Sequence, residues 1–179
     1  MKYKRTRKGI TRQDLAQDRA FWRDLLARRA LSRGLPAHSL PAHSAGGYRN
    51  RRFAIIRDAA WITLYRAKLP NPQVGVFFRC TGLAGEAFFT LADNARAQIE
   101  PRLRAEIGSD AALEWGTSHH PGMIDIAAIL AAPLPWDDRA ARQHIAWMLP
   151  VGAAWWHCFT SLAAMRTPTV IPAQAGTQE

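Results

Sequence analysis

Between Gln73 and Ile126 the apolar residues change period twice, and no other feature of the chain constrains the fold as much. The run Val74-Gly75-Val76-Phe77-Phe78-Arg79-Cys80 has strand length and is apolar on both faces, as expected of a strand inside a sheet. From Ala84 to Ile107 the spacing becomes three to four. Phe88, Leu91, Ala95, Ile99, Leu103 and Ile107 put one stripe on a helix. Pro101 falls inside that stripe and predicts a kink or the start of a second helix, because proline lacks the amide proton and crowds the preceding turn. Gly108 fits a helix stop. Leu113–Ser118 and Met123–Leu130 then alternate as two strands of a hairpin closed by His119-His120-Pro121-Gly122.

The flanking chain extends the same pattern. Arg52–Arg57 and Trp61–Ala67 read as strands joined at Asp58-Ala59-Ala60, with Trp61, Thr63 and Tyr65 alternating against Ile62 and Leu64. Leu69-Pro70-Asn71-Pro72 breaks the run. A first helix begins near Thr11, carries Leu15, Trp22, Leu25 and Leu26 inward, and ends at Gly34 and Pro36. A last helical region opens at Trp136-Asp137-Asp138, where two carboxylates suit a helix N-terminus. It holds Ile145, Trp147 and Met148 and resumes after Pro150 with Trp155, Phe159 and Leu162.

The order helix, three strands, helix, two strands, helix predicts an α+β fold. Its sheet is expected to be mostly antiparallel, of about five strands, with helices packed mainly on one face. Residues 11–165 are read as a single domain between a disordered basic arm, 1–10, and a disordered tail, 166–179.

Charge is segregated along this scaffold. Residues 1–68 hold 17 Lys/Arg against 4 Asp/Glu, whereas residues 69–179 hold 7 against 10. A phosphate footprint clusters in this way, and DNA or RNA is the expected anionic partner. Lys2, Lys4, Arg5, Arg7 and Lys8 are candidate contacts from the arm, and Arg49, Arg51 and Arg52 from a second patch at the sheet edge. The alternative is a basic leader and helix that only solvate, in a protein-interaction or structural module.

Catalytic signals are sparse. The order helix–strand–strand–strand–helix–strand is also that of metal-dependent nucleases. They need an acidic residue on the second strand and an Asp/Glu-x-Lys on the third, whose carboxylates hold a divalent metal while the lysine orients water. Val74–Arg79 offers none of these, which leaves Asp58 and Glu86 as the acids of a displaced or degenerate site. Cys80 and Cys158 lack metal-ligand spacing and are expected to be reduced, buried thiols of a cytoplasmic protein. No secretory leader is expected, since the basic start is not followed by an apolar run.

Two histidine pairs have simpler explanations than metal binding. His38 and His43 belong to an identical tandem pentapeptide, Leu35–Ser39 and Leu40–Ser44, and His119-His120 belongs to a turn that Asp125 follows. His144 and His157 are expected at a polar rim. Thr81-Gly82-Leu83-Ala84-Gly85 is too short for a nucleotide fingerprint, so neither a metal nor a cofactor is expected. Ile145–Met165 has 21 residues without Asp, Glu, Lys or Arg, long enough to span a membrane. Pro150, Gly152 and His157 favour a core helix whose final turns suit a homodimer contact.

The chain also resembles the bacterial and archaeal domain of unknown function 4268. The likeness runs from Arg19 to Phe159 through Phe21-Trp22-Arg23-Asp24-Leu25-Leu26, Val74–Phe78, Phe88-Phe89-Thr90-Leu91, Ile99-Glu100, Gly108, Leu113-Glu114-Trp115, Ile124-Asp125-Ile126 and Trp136 to Trp147. That family has no established activity. Its members often follow a predicted nuclease domain in restriction- or repair-type proteins, so the resemblance implies nucleic-acid work by association. This chain has Gly75 and Val76 where the family strand often carries a glutamate, and Pro101 and Pro150 in helices that look continuous in the family. Thr169–Gly176 resembles the translated interspersed repeat found at the ends of many proteobacterial reading frames.

Overall fold

A computed structural model describes residues 12–31, 34–36, 50–67, 71–117 and 121–166. The elements are α1 (Arg12–Leu31), β1 (Asn50–Ile56), β2 (Ala60–Ala67), β3 (Gln73–Thr81), α2 (Gly82–Asn94), α3 (Arg96–Ile107), β4 (Ala111–Thr117), β5 (Met123–Ala131) and α4 (Asp138–Arg166). The five strands form one sheet in the order β1-β2-β3-β5-β4, and every neighbouring pair is antiparallel. The fold is α+β, as the alternation of periods predicts. β5 lies between β3 and β4, so α2 and α3 carry the chain across it.

Register decides which residues share a face. Phe53, Ile62, Phe78, Ile126 and Trp115 are paired in one row across all five strands. Successive side chains point to opposite faces of a strand, so Val74, Val76 and Cys80 join this side. All the helices pack here. Phe78 stacks on Phe159 of α4 with ring centroids 3.8 Å apart and meets Phe88 of α2 edge-on at 5.5 Å. α1 contributes Phe21, Trp22 and Leu25 to the same cluster. The expectation of helices on one face therefore holds, and β3 is the central strand that its two apolar faces predict.

Two proline expectations need correction. The α2–α3 break falls at Ala95 (φ −90°, ψ 5°), not at Pro101, which sits inside α3. The break lets α2 lie on the sheet while α3 leaves it to pack against α4. Pro150 does not divide the last helix either, because α4 runs unbroken from Asp138 to Arg166. Ile145, Met148, Val151, Trp155, Phe159 and Leu162 all bury along it, and that stripe holds the helix through the missing amide. Close approach of α4 to the sheet depends on Gly152, where an added Cβ would stand 2.7 Å from the Leu64 side chain. The Asp137 carboxylate accepts from the Ala140 amide at 2.8 Å, the cap that the paired carboxylates predict. Among the described residues no helix is long and apolar enough to cross a membrane.

Candidate nucleic-acid interface

The described basic residues of the first third come from α1 and β1. α1 turns Phe21, Trp22 and Leu25 inward, which places Arg19, Arg23 and Arg28 on its exposed side. Arg28 is half-exposed and pairs with Asp24 one turn earlier at 3.0 Å. Arg29 instead donates to the Pro36 carbonyl at 3.1 Å, which ties the end of the helix to the chain leaving it.

On β1 the strand period separates two neighbouring candidates. Arg51 lies on the helix-covered face, with its guanidinium 5.2 Å from the Trp22 ring centroid and a bond to the Asn50 carbonyl at 2.9 Å. Arg52 lies on the opposite face, 5.1 Å from the Trp61 ring centroid. The two are adjacent in sequence but do not form one patch. Burial, and after it the nearby Arg79, pulls the Arg52 pKa below its ordinary value. Lys2, Lys4, Arg5, Arg7, Lys8 and Arg49 lie outside the described residues.

The groups that catalysis would need are placed elsewhere. Asp58 sits in the β1–β2 turn with φ 58°, exposed, 3.6 Å from Arg57. Glu86 is exposed on the first turns of α2. Burial, reinforced by Asp125, pushes the Cys80 thiol up to about 12, so it stays protonated at neutral pH. Burial likewise raises the half-buried Cys158, with Arg102 opposing. His157 is exposed, but His144 is buried, which corrects its expected place at a polar rim. It packs edge-on against Trp136 at 5.5 Å, and burial together with Arg66 lowers its pKa to about 4. Among the described residues no three His, Cys, Asp or Glu side chains converge to hold a metal.

Sequence reasoning missed the largest polar feature of the sheet. Arg79 on β3 stands directly opposite Asp125 on β5. Its Nε and Nη2 donate to the two carboxylate oxygens at 3.0 and 3.2 Å, and Asp125 is fully buried. An arginine inside an apolar run, followed by an aspartate inside the next apolar strand, was the available signal. Only the register turns that signal into a pair. A forked, two-bond arrangement is the strong form of such a contact. It engages the carboxylate that follows the His119-His120 turn; those two histidines lie outside the described residues.

A shallow groove of about 600 Å³ runs along the α2–α3 junction, lined by Asp93, Asn94, Arg96, Ala97, Glu100, Pro101 and Arg104. Its charges are spoken for. Glu100 accepts from Arg96 at 2.6 Å and Arg104 at 2.8 Å, and these bonds, Arg96 first, hold its carboxyl below the usual range. Arg96 also lies 4.8 Å from the Trp115 ring centroid. Comparison with known protein families, curated proteins and solved structures returns no match for this chain.

Proposed function

We propose that this protein is a non-catalytic module that holds nucleic acid through the phosphate backbone, using the basic first third of the chain. The observation that carries the proposal is the charge segregation, 17 Lys/Arg against 4 Asp/Glu over residues 1–68. Arg19 and Arg23 on the exposed side of α1 supply positive charge that follows the arm residues Lys2, Lys4, Arg5, Arg7 and Lys8 in the sequence. Contacts of this kind position a protein on the duplex without reading its sequence. The non-catalytic reading is supported by where the reactive groups sit. The thiol of Cys80 is kept protonated, the His144 imidazole is buried against Trp136, and Asp125 is engaged by Arg79. Kinship with domain of unknown function 4268 belongs to the same proposal, since its neighbours are restriction- and repair-type proteins.

A salt titration of DNA and RNA binding by the full chain tests it. Five phosphate contacts on duplex DNA give log K against log salt a slope of about −4 to −5. Deleting residues 1–10 is expected to flatten that slope, with little preference among sequences. Negligible binding at low salt, or a slope unmoved by the deletion, refutes the proposal in favour of a protein-interaction module.

A further inference from the structure

The face of the sheet turned away from the described helices carries a charge and a set of hydrogen-bond donors without partners among the described residues. On β1 and β2, Arg52 stands directly opposite Thr63. Trp61, two residues earlier on the same face, stands opposite Arg79 of β3. Directly opposed residues have Cβ atoms about 5 Å apart, so the four side chains form one contiguous patch.

Thr63 is fully buried and Trp61 is 6% exposed. The Thr63 hydroxyl, the Trp61 indole N–H and Arg52 Nε all lack a hydrogen-bond partner among the described residues. Charge is unbalanced in the same place. Arg79 is matched by Asp125, whereas Arg52 has no carboxylate at ion-pair distance among the described residues. Its guanidinium rests on the indole ring instead.

Buried polar groups in native proteins are nearly always satisfied by protein, water or an ion. Water would answer the three donors and leave the charge. An oxyanion answers both, and guanidinium is the side chain whose geometry best matches phosphate oxygens.

We propose that Arg52, Trp61 and Thr63 form a binding site for an oxyanion of the phosphate class on the face of the sheet opposite the described helices. Arg52 supplies the charge, and Trp61 and Thr63 supply neutral donors. Arg79, on the same face, is already matched by Asp125, which leaves the anion to Arg52. Arg52 is half-buried on the outermost strand, so an anion enters as its guanidinium moves off the indole ring. The phosphate belongs either to a free monoester or to a nucleic-acid backbone, and both present the same oxygens. The site uses no residue of the arm 1–10, so its failure and the failure of arm-mediated binding are distinguishable.

Nitrogen-15 NMR of the full chain tests the site through the Trp61 indole N–H and the Thr63 amide. Titration with sodium phosphate is expected to move both signals to saturation at concentrations on the order of millimolar, while sodium chloride at equal ionic strength leaves them in place. Arg52→Gln is expected to weaken binding about tenfold, with Arg52→Lys recovering part of the loss. Thr63→Val is expected to weaken it by a smaller factor. Adenosine monophosphate and a short single-stranded oligonucleotide separate the two sources, each binding more tightly if its kind of phosphate is the one the site fits. Equal shifts with chloride, shifts that never saturate, or unchanged affinity in Arg52→Gln overturn the proposal.

Discussion

Among the described residues each face of the sheet buries one arginine, and the two are held in different ways. On the helix-covered face Arg66 is 3% exposed and lies between two rings, 4.0 Å from the Phe21 centroid and 4.2 Å from that of Trp136. Its carboxylate partner, Asp18 of α1, stands 3.6 Å away, and its Nε has no hydrogen-bond partner among the described residues. Burial outweighs Asp18 and lowers the Arg66 pKa to about 10, still charged at neutral pH. On the opposite face Arg79 is 9% exposed, with both Asp125 oxygens at hydrogen-bonding distance and a ring, Phe77, at 4.7 Å. Arg66 relies on aromatic faces and one looser carboxylate, and Arg79 on a forked ion pair. An arginine whose charge is spread over rings tolerates a change in its carboxylate better than one whose charge is neutralised by a single fork.

Asp125→Ala therefore breaks the contrast hardest. It strands the Arg79 charge in a buried position, and the expected loss is about 3–5 kcal/mol in chemical denaturation. Replacing both partners with apolar residues of similar volume, Arg79→Met with Asp125→Leu, is expected to recover most of that loss. If the single variant unfolds no more easily than the native chain, the pair does not neutralise Arg79 as its geometry implies.

The helix-covered face has its own titration. His144 is buried beside Arg66 and Trp136, and its folded pKa of about 4 lies below the ordinary value of 6.5. The folded state therefore favours neutral imidazole. The stability this contributes is fully present above about pH 6.5 and is lost as pH falls towards 4. Between pH 7 and pH 5 the expected decrease from this group is about 2 kcal/mol. Unfolding free energies measured across that interval test it, and His144→Gln is expected to flatten the slope.

How legible these features were in the sequence depends on how local they are. The strands and helices follow from periodicity, and the α+β class follows from their order. Both proline expectations misplaced an interruption, because local chemistry was overridden by packing. α3 turns away from the sheet at Ala95 to meet α4, and a continuous buried stripe from Ile145 to Leu162 carries α4 through Pro150. The candidate site was less legible. Charge counting singled out Arg51 and Arg52 together, but a one-residue step along a strand puts them on opposite faces. Arg79 and Asp125 are 46 residues apart, and Arg66 meets Asp18 from another element. Such pairings depend on register and docking, which no local spacing reveals.

The smallest effect is the sharpest test of the face opposite the helices. Thr63 is fully buried in β2 with its hydroxyl unpartnered, so Val in its place keeps the shape and removes a polar group that pays desolvation without return. Valine also suits a strand. In buffer free of oxyanions, Thr63→Val is expected to raise stability by about 1 kcal/mol. The same change on the helix-covered face has no counterpart, because the row Phe53, Ile62, Phe78, Ile126 is already apolar. A gain that disappears when phosphate is added points to a hydroxyl kept for a ligand. A loss in anion-free buffer means that the hydroxyl already has a protein partner, and the two faces then differ less than their side chains suggest.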